Sequence, residues 1–135
     1  EIEDKTVMIV DDSIVRGNTS REIVRMLKDF GATEVYFAVA CPPVVSPCFY
    51  GVDMPTRKEL IANNKSVDEI KDFLDVDQLI YQEIDSLSEA VMRKGDHHID
   101  QPCMACFDKK YITNEMNGEK IKELEQMRIK DRNGK

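Results

Sequence analysis

The sequence predicts an α/β domain, a parallel sheet flanked by helices, on three observations. Val7-Met8-Ile9-Val10 is a short, continuous, mostly β-branched run, the pattern of a strand buried on both faces of a parallel sheet. A helical pattern follows, with Ile23, Leu27 and Phe30 on one face and Val24 beside them. Val35 to Ala40 is a second apolar run of strand character. Strand, helix and strand at this spacing make one right-handed βαβ unit.

Local signals set the individual elements. Thr19-Ser20-Arg21-Glu22 reads as a capping box opening the first helix, and Gly31 stands where a C-terminal stop belongs. Three more capping boxes follow: Thr56 with Glu59, Ser66 with Glu69, and Ser86 with Glu89. They open short amphipathic stretches anchored by Leu60 and Ile61, by Ile70, Phe73 and Leu74, and by Leu87, Ala90 and Val91. Gln78 to Tyr81 reads as a third strand. From Glu119 to Lys130 the chain is charged, with Ile121, Leu124 and Met127 in helical register. The expected organisation is a body over residues 1–118 and a helical tail over 119–135, without internal repeats.

Composition narrows the function. A chain of 135 residues is long enough for one core and too short for two domains of ordinary size. Its apolar fraction of 41%, with 6 Gly and 5 Pro, is that of a soluble globular protein. No apolar run approaches the roughly 20 residues that span a bilayer, and no signal-peptide pattern opens the chain, so a cytoplasmic location without membrane contact is expected. A net charge of −7 argues against general nucleic-acid binding, because phosphates would go unneutralised. Four cysteines in such a chain point to metal or redox chemistry more than to disulfides. The charged lead from Glu1 to Lys5, without an initiator Met, reads as the start of an excised or truncated piece.

The loop after the first strand carries the chemistry. It runs Asp11-Asp12-Ser13-Ile14-Val15-Arg16-Gly17-Asn18-Thr19, beyond the carboxyl end of a strand, where ligands gather in open α/β sheets. Consecutive backbone N–H groups around Gly17 and the positive end of the following helix make an anion nest. The two acids suit sugar hydroxyls or Mg²⁺, not phosphate. Either feature alone is ordinary: such a loop is usually just a turn, and paired Asp usually a capping or solvated pair. Together on one loop they fit a sugar phosphate. Ile-Val-Asp-Asp-Ser also opens two-component receiver domains, and Asp53-Met54-Pro55 mimics their acceptor region. The spacing argues against that reading, because Cys48-Phe49-Tyr50-Gly51 is no apolar strand leading to an acceptor.

Val7 to Ser20, VMIVDDSIVRGNTS, resembles the phosphoribosyl pyrophosphate motif of the type I phosphoribosyltransferases, and in detail that of the glutamine phosphoribosylpyrophosphate amidotransferases. The likeness continues through CPPVVSPCFYGVDMPTRKELIA (Cys41 to Ala62), SVDEI (Ser66 to Ile70) and CMACFDKKYIT (Cys103 to Thr113). The family usually has Thr where this chain has Asn18, and related purine-salvage transferases use Asn there. The resemblance implies an incomplete type I phosphoribosyltransferase fold, with phosphoribosyl pyrophosphate as substrate. Asp11 and Asp12 would bind the ribose hydroxyls and Mg²⁺. Val15, Arg16, Gly17, Asn18, Thr19 and Ser20 would wrap the 5′-phosphate, Thr19 and Ser20 adding hydroxyl donors. The family reaction displaces pyrophosphate with glutamine-derived ammonia, giving phosphoribosylamine for purine synthesis, and no side chain here is assigned as a catalytic acid or base.

Cys103-Met104-Ala105-Cys106 is a C-x₂-C, whose spacing lets two thiolates reach one metal or cluster, or merely two thiols pack together. The resemblance matches Cys48, Cys103 and Cys106 to three ligands of a [4Fe–4S] cluster, with the fourth upstream of this chain. Cys41 reads as a buried core thiol and only weakly as a substitute ligand. Zinc is a weaker reading of the cysteines. His97 and His98 are expected to be exposed, Arg57 and Lys58 to face solvent, and Met54, Met92, Met104 and Met116 to fill the core or lie on the surface.

The expected partners are phosphoribosyl pyrophosphate, the N-terminal glutaminase half of a longer parent chain, and further copies of the chain. An open sheet edge beside Val7 to Val10 would promote that self-association. The chain as given is expected to turn over neither glutamine nor ammonia. Two other classes stay open: a non-catalytic phosphoribosyl-pyrophosphate or nucleotide-binding regulatory module on the same fold, and a cluster-binding structural domain with a vestigial phosphate loop.

Overall fold

The computed structural model describes residues 1–92 and 100–133; His97 and His98 lie outside the described residues. Strand β1 (Thr6–Asp11) leads into helix α1 (Asn18–Asp29) and strand β2 (Glu34–Val39). A 3-10 turn (Arg57–Glu59), α2 (Ile61–Asn64) and α3 (Val67–Leu74) then bring the chain to β3 (Gln78–Tyr81). Helices α4 (Ile84–Met92), α5 (Ala105–Asp108) and α6 (Gly118–Asn133) complete the described order. The three strands form one parallel sheet in the order β1-β2-β3, so β1 lies at an edge.

Packing is one-sided. Val35, Phe37 and Val39 of β2, Val24 and Leu27 of α1, and Ile70 and Leu74 of α3 form the buried core with Ile14 and Ile61. Each such side chain contributes roughly 1.5–3 kcal/mol by leaving water. On the other face Met8, Val10 and Ile80 are exposed, in cross-strand rows with Tyr36 and Ala38. The apolar run of β1 therefore does not lie in a strand buried on both faces here. Its alternate residues, Val7 and Ile9, are the half-buried ones.

Helix ends show where local signals held. Ser66–Glu69 forms a reciprocal capping box at α3, and Thr56–Glu59 forms one at the 3-10 turn. At the end of α1, Gly31 has φ +85, its N–H donates to the Lys28 carbonyl, and the Ala32 N–H donates to the Leu27 carbonyl. That is a Schellman stop, which requires a left-handed residue and so favours glycine. Other signals slipped. The first helix begins at Asn18 with Gly17 as its N-cap and no side-chain cap, so Thr19 lies inside the first turn and makes no capping box. α4 begins at Ile84, which puts Ser86 in its first turn rather than at its cap. Phe30, placed on the apolar face of α1, is 64% exposed because the chain reverses at Gly31. Ala90, Val91 and Met127 are likewise exposed.

Candidate functional site

Asp11 is the last residue of β1, and parallel pairing to Val39 holds it at the carboxyl edge of the sheet. The Asp12 N–H donates to Asp11 Oδ1 at 2.9 Å, and Ser13 Oγ donates to Asp12 Oδ1 at 2.7 Å. The chain then dips: Ile14 is 1% exposed and anchors the loop in the core. The Ile61 N–H reaches the Val15 carbonyl at 2.9 Å and fastens the far side to α2.

Gly17 closes the loop with φ +80. A Cβ there would lie 2.9 Å from Ile61 Cδ1 and 3.1 Å from Phe73 Cε1, so the conformation demands glycine and a larger residue would have to push these side chains aside. The Arg21 N–H donates to the Gly17 carbonyl, the first main-chain bond of α1. The N–H groups of Asn18, Thr19 and Ser20 come before it, in the turn whose donors have no intrahelical acceptor. With no side-chain cap and no acid in that turn, these donors and the helix dipole suit an anion.

A cleft of about 330 Å³ opens on this turn, lined by Asp11, Ser13, Val15, Arg16, Gly17, Asn18, Thr19 and Ser20. It gathers all the residues singled out for the sugar phosphate except Asp12, which is exposed beside it. Ser13 lines the cleft as well. Its place between the acids and Gly17 is the sequence signal for it. The Arg16 guanidinium pairs with Glu59 of the 3-10 turn. Hydrogen bonds from Thr56, with help from Arg16, hold the Glu59 carboxyl below its usual range despite burial.

The cysteines occupy a neighbouring region, and all four are free thiols. The Cys106 carbonyl accepts from the Val45 and Ser46 N–H groups, at 2.9 and 3.0 Å, pinning the segment before Cys48 to α5. Tyr111 shares a hydrogen bond of 2.7 Å with Ser46 and donates one of 2.7 Å to the Pro47 carbonyl. The Tyr50 N–H donates to Cys48 Sγ at 3.3 Å. Burial raises the Cys106 thiol, and the neighbouring Cys48 and Cys103 raise it further. Cys41, half-buried against the core, is pushed up to about 11 by burial and then by Cys106, Asp12 and Asp11. Among the described residues no three His, Cys, Asp or Glu side chains are arranged to hold a single metal ion.

Lys58 is exposed, whereas Arg57 keeps about a third of its side chain exposed, at 35%, but is committed to a partner. Its backbone N–H and guanidinium donate four bonds of 2.6–3.0 Å to Glu125 of α6, whose side chain is only 13% exposed. Asp53 lies in irregular chain and not at a strand end, unlike a receiver's acceptor.

The sequence profile of the phosphoribosyl transferase domain family matches residues 1–83, which hold the sheet and the whole cleft. The chain belongs to this family. Its relatives sharpen the assignment of this phosphoribosyl transferase domain. It is 48% identical over 120 residues to the amidophosphoribosyltransferase of Methanocaldococcus jannaschii, covering 89% of this chain and 24% of that protein. It is 47% identical over 112 residues to the Bacillus subtilis enzyme of the same name, covering 83% and 24%. The solved glutamine phosphoribosylpyrophosphate amidotransferase of B. subtilis, complexed with ADP and GMP, superimposes with a TM-score of 0.76 at 45% identity, over 87% of this chain and 26% of that one. A structure described as the allosteric regulatory enzyme of purine biosynthesis gives 0.75 at 46%, over 86% and 25%. The chain thus spans about a quarter of the length of these relatives.

Proposed function

We propose that this chain is the phosphate-loop segment of an amidophosphoribosyltransferase, which displaces pyrophosphate from phosphoribosyl pyrophosphate with ammonia. One observation carries the reading: the uncapped first turn of α1, entered through Gly17, opens on a cleft that Asp11 also lines. A sugar 5-phosphate fits this polarity, with its phosphate on the N–H groups of Asn18 to Ser20 and its hydroxyls toward Asp11 and Asp12. In the whole enzyme the nitrogen of ammonia attacks the anomeric carbon as the bond to pyrophosphate oxygen breaks. Pyrophosphate leaves with the electron pair, and the new amine sheds a proton to solvent. This chain's share is positioning: it fixes the phosphate end, so that attack is set by geometry rather than by a side-chain acid or base. The acids beside the cleft are the donor type that Mg²⁺ takes next to substrate oxygens, and the ion would supply charge neutralisation to the leaving group.

Cys48, Cys103 and Cys106 would give three thiolates to an iron–sulfur cluster, the fourth ligand coming from outside this chain. The ligand type and the shared neighbourhood of the thiols support this. The uncovered sheet face at Met8, Val10 and Ile80 would be covered by the rest of a longer chain, glutaminase half included, or by a second copy. No helix among the described residues is long and apolar enough to cross a membrane.

Calorimetric titration of ribose 5-phosphate with Mg²⁺ tests the site. Binding should be measurable with the wild type and lost in Gly17→Val at unchanged circular dichroism. Equal heats from both would place the phosphate elsewhere. The regulatory-module alternative rests on the same fold and is separated from the enzyme reading by ammonia-dependent pyrophosphate release in the full-length protein.

A further inference from the structure

Helix α6 is polar on nearly every side, and a helix of that kind is seldom held by its apolar stripe. Two of its side chains nevertheless reach into the body at defined points. Glu125 takes the four hydrogen bonds from Arg57. One turn further on, Arg128 donates to the Cys48 carbonyl at 2.6 Å and to the Met54 carbonyl at 3.5 Å. Its guanidinium also lies 4.8 Å from the centre of the Phe49 ring. Cys48 therefore sits in a short arm, residues 46–56, gripped at its carbonyl by a cation from the far end of the chain.

Within the arm the Cys48 N–H donates to Met54 Sδ at 3.3 Å, so Arg128 spans both ends of a loop closed on itself. The arm is also held by Tyr111, through Ser46 and Pro47, and by Tyr50, whose hydroxyl meets Thr113 at 3.1 Å. Tyr111 thus fixes the entry to the arm, and Arg128 fixes the turn at Cys48 itself. A planar guanidinium can donate to two carbonyls from separate nitrogens while it stacks on a ring, a fixed geometry that an ammonium does not reproduce.

We propose that α6 is a positioning clip for Cys48: Arg128 sets where this cysteine stands relative to Cys103 and Cys106, and Glu125 keeps the helix in place to do so. The inference concerns the arm and stands apart from whether the thiols hold iron. It also gives the charged C-terminal helix a task that its apolar residues do not explain.

The test is site-resolved alkylation of the reduced 135-residue chain with iodoacetamide, read by mass spectrometry, with core Cys41 as internal reference. Arg128→Ala should raise the Cys48 labelling rate relative to Cys41 about tenfold, the change expected when one charge-assisted hydrogen bond of about 1.4 kcal/mol keeps the arm closed. Arg128→Lys should restore part of the protection, and Glu125→Gln should show a smaller rise than Arg128→Ala. An unchanged Cys48 rate in Arg128→Ala overturns the proposal. So does an equal rise at Cys41 and Cys48, which would mean general loosening. If Arg128→Ala does not fold, Glu125→Gln and Arg128→Lys carry the same comparison, and wild-type protection in both contradicts the clip.

Discussion

Gly17 concentrates the demands of the site in one residue. Its positive φ costs an L-residue about 1–2 kcal/mol, and a Cβ would require the Ile61 and Phe73 side chains to shift. Gly17→Ala should therefore lower unfolding stability by at least about 1 kcal/mol in a denaturant melt, and phosphate affinity should fall with it. Unchanged stability would mean that the loop is not in this conformation. Glycine in the loop before a helix was legible in the sequence. The side chains that crowd it were not, because Ile61 and Phe73 come from elements more than forty residues away. Arg57 shows the same limit: its partner Glu125 is 68 residues on, and no local pattern announces such a pair.

These pairs have a pH signature. Burial opposes ionisation of Glu125, but the Arg57 hydrogen bonds outweigh it and hold its carboxyl below the usual range; Thr56 and Arg16 do the same for Glu59. A carboxylate depressed in the folded state adds stability above its unfolded pKa, and that stability is lost as pH falls through the folded value. Acidification from about pH 5 to about pH 3 should thus destabilise the wild type more than Glu59→Gln/Glu125→Gln. Parallel stability curves for the two proteins would contradict the pairing.

Among the elements, those with period and punctuation in the sequence were the legible ones. Gln78 to Tyr81 is β3 as read, and Gly31 ends the first helix as its Schellman geometry requires. The start of α1 was misplaced because a capping-box pattern competes with a glycine N-cap, and the vacant cap is what leaves donors for an anion. The apolar run of β1 was legible as strand, but not which face would be covered in this chain. Val10, 71% exposed, and Met8, 55% exposed, should drive self-association. Met8→Lys/Val10→Lys should shift sedimentation toward monomer without loss of helical circular dichroism; identical sedimentation would place the contact elsewhere. At the end of β3 the buried Tyr81 hydroxyl has no hydrogen-bond partner among the described residues, and burial pushes it up to about 12. Removing an unsatisfied buried hydroxyl should stabilise, so Tyr81→Phe is expected to raise unfolding stability by roughly 0.5–1 kcal/mol. A clear loss would reveal an acceptor or an ordered water.

At the scale of the molecule, the loop proposed to take the phosphate and the cysteine arm are joined through the turn at Thr56–Glu59. That turn sends Glu59 to Arg16 of the loop and Arg57 to Glu125 of α6, three residues before the clip at Arg128. The order of motifs made the fold and the loop legible from residues alone, while the bridge between the two regions emerges only once the chain is folded. The central claim is that the first turn of α1 receives the phosphate of a phosphorylated sugar, and amide chemical shifts test it most directly. Titrating ribose 5-phosphate with Mg²⁺ into the isotope-labelled chain should shift the N–H resonances of Gly17, Asn18, Thr19 and Ser20 most, and saturably. Saturable shifts centred elsewhere, with these four resonances still, would contradict the account.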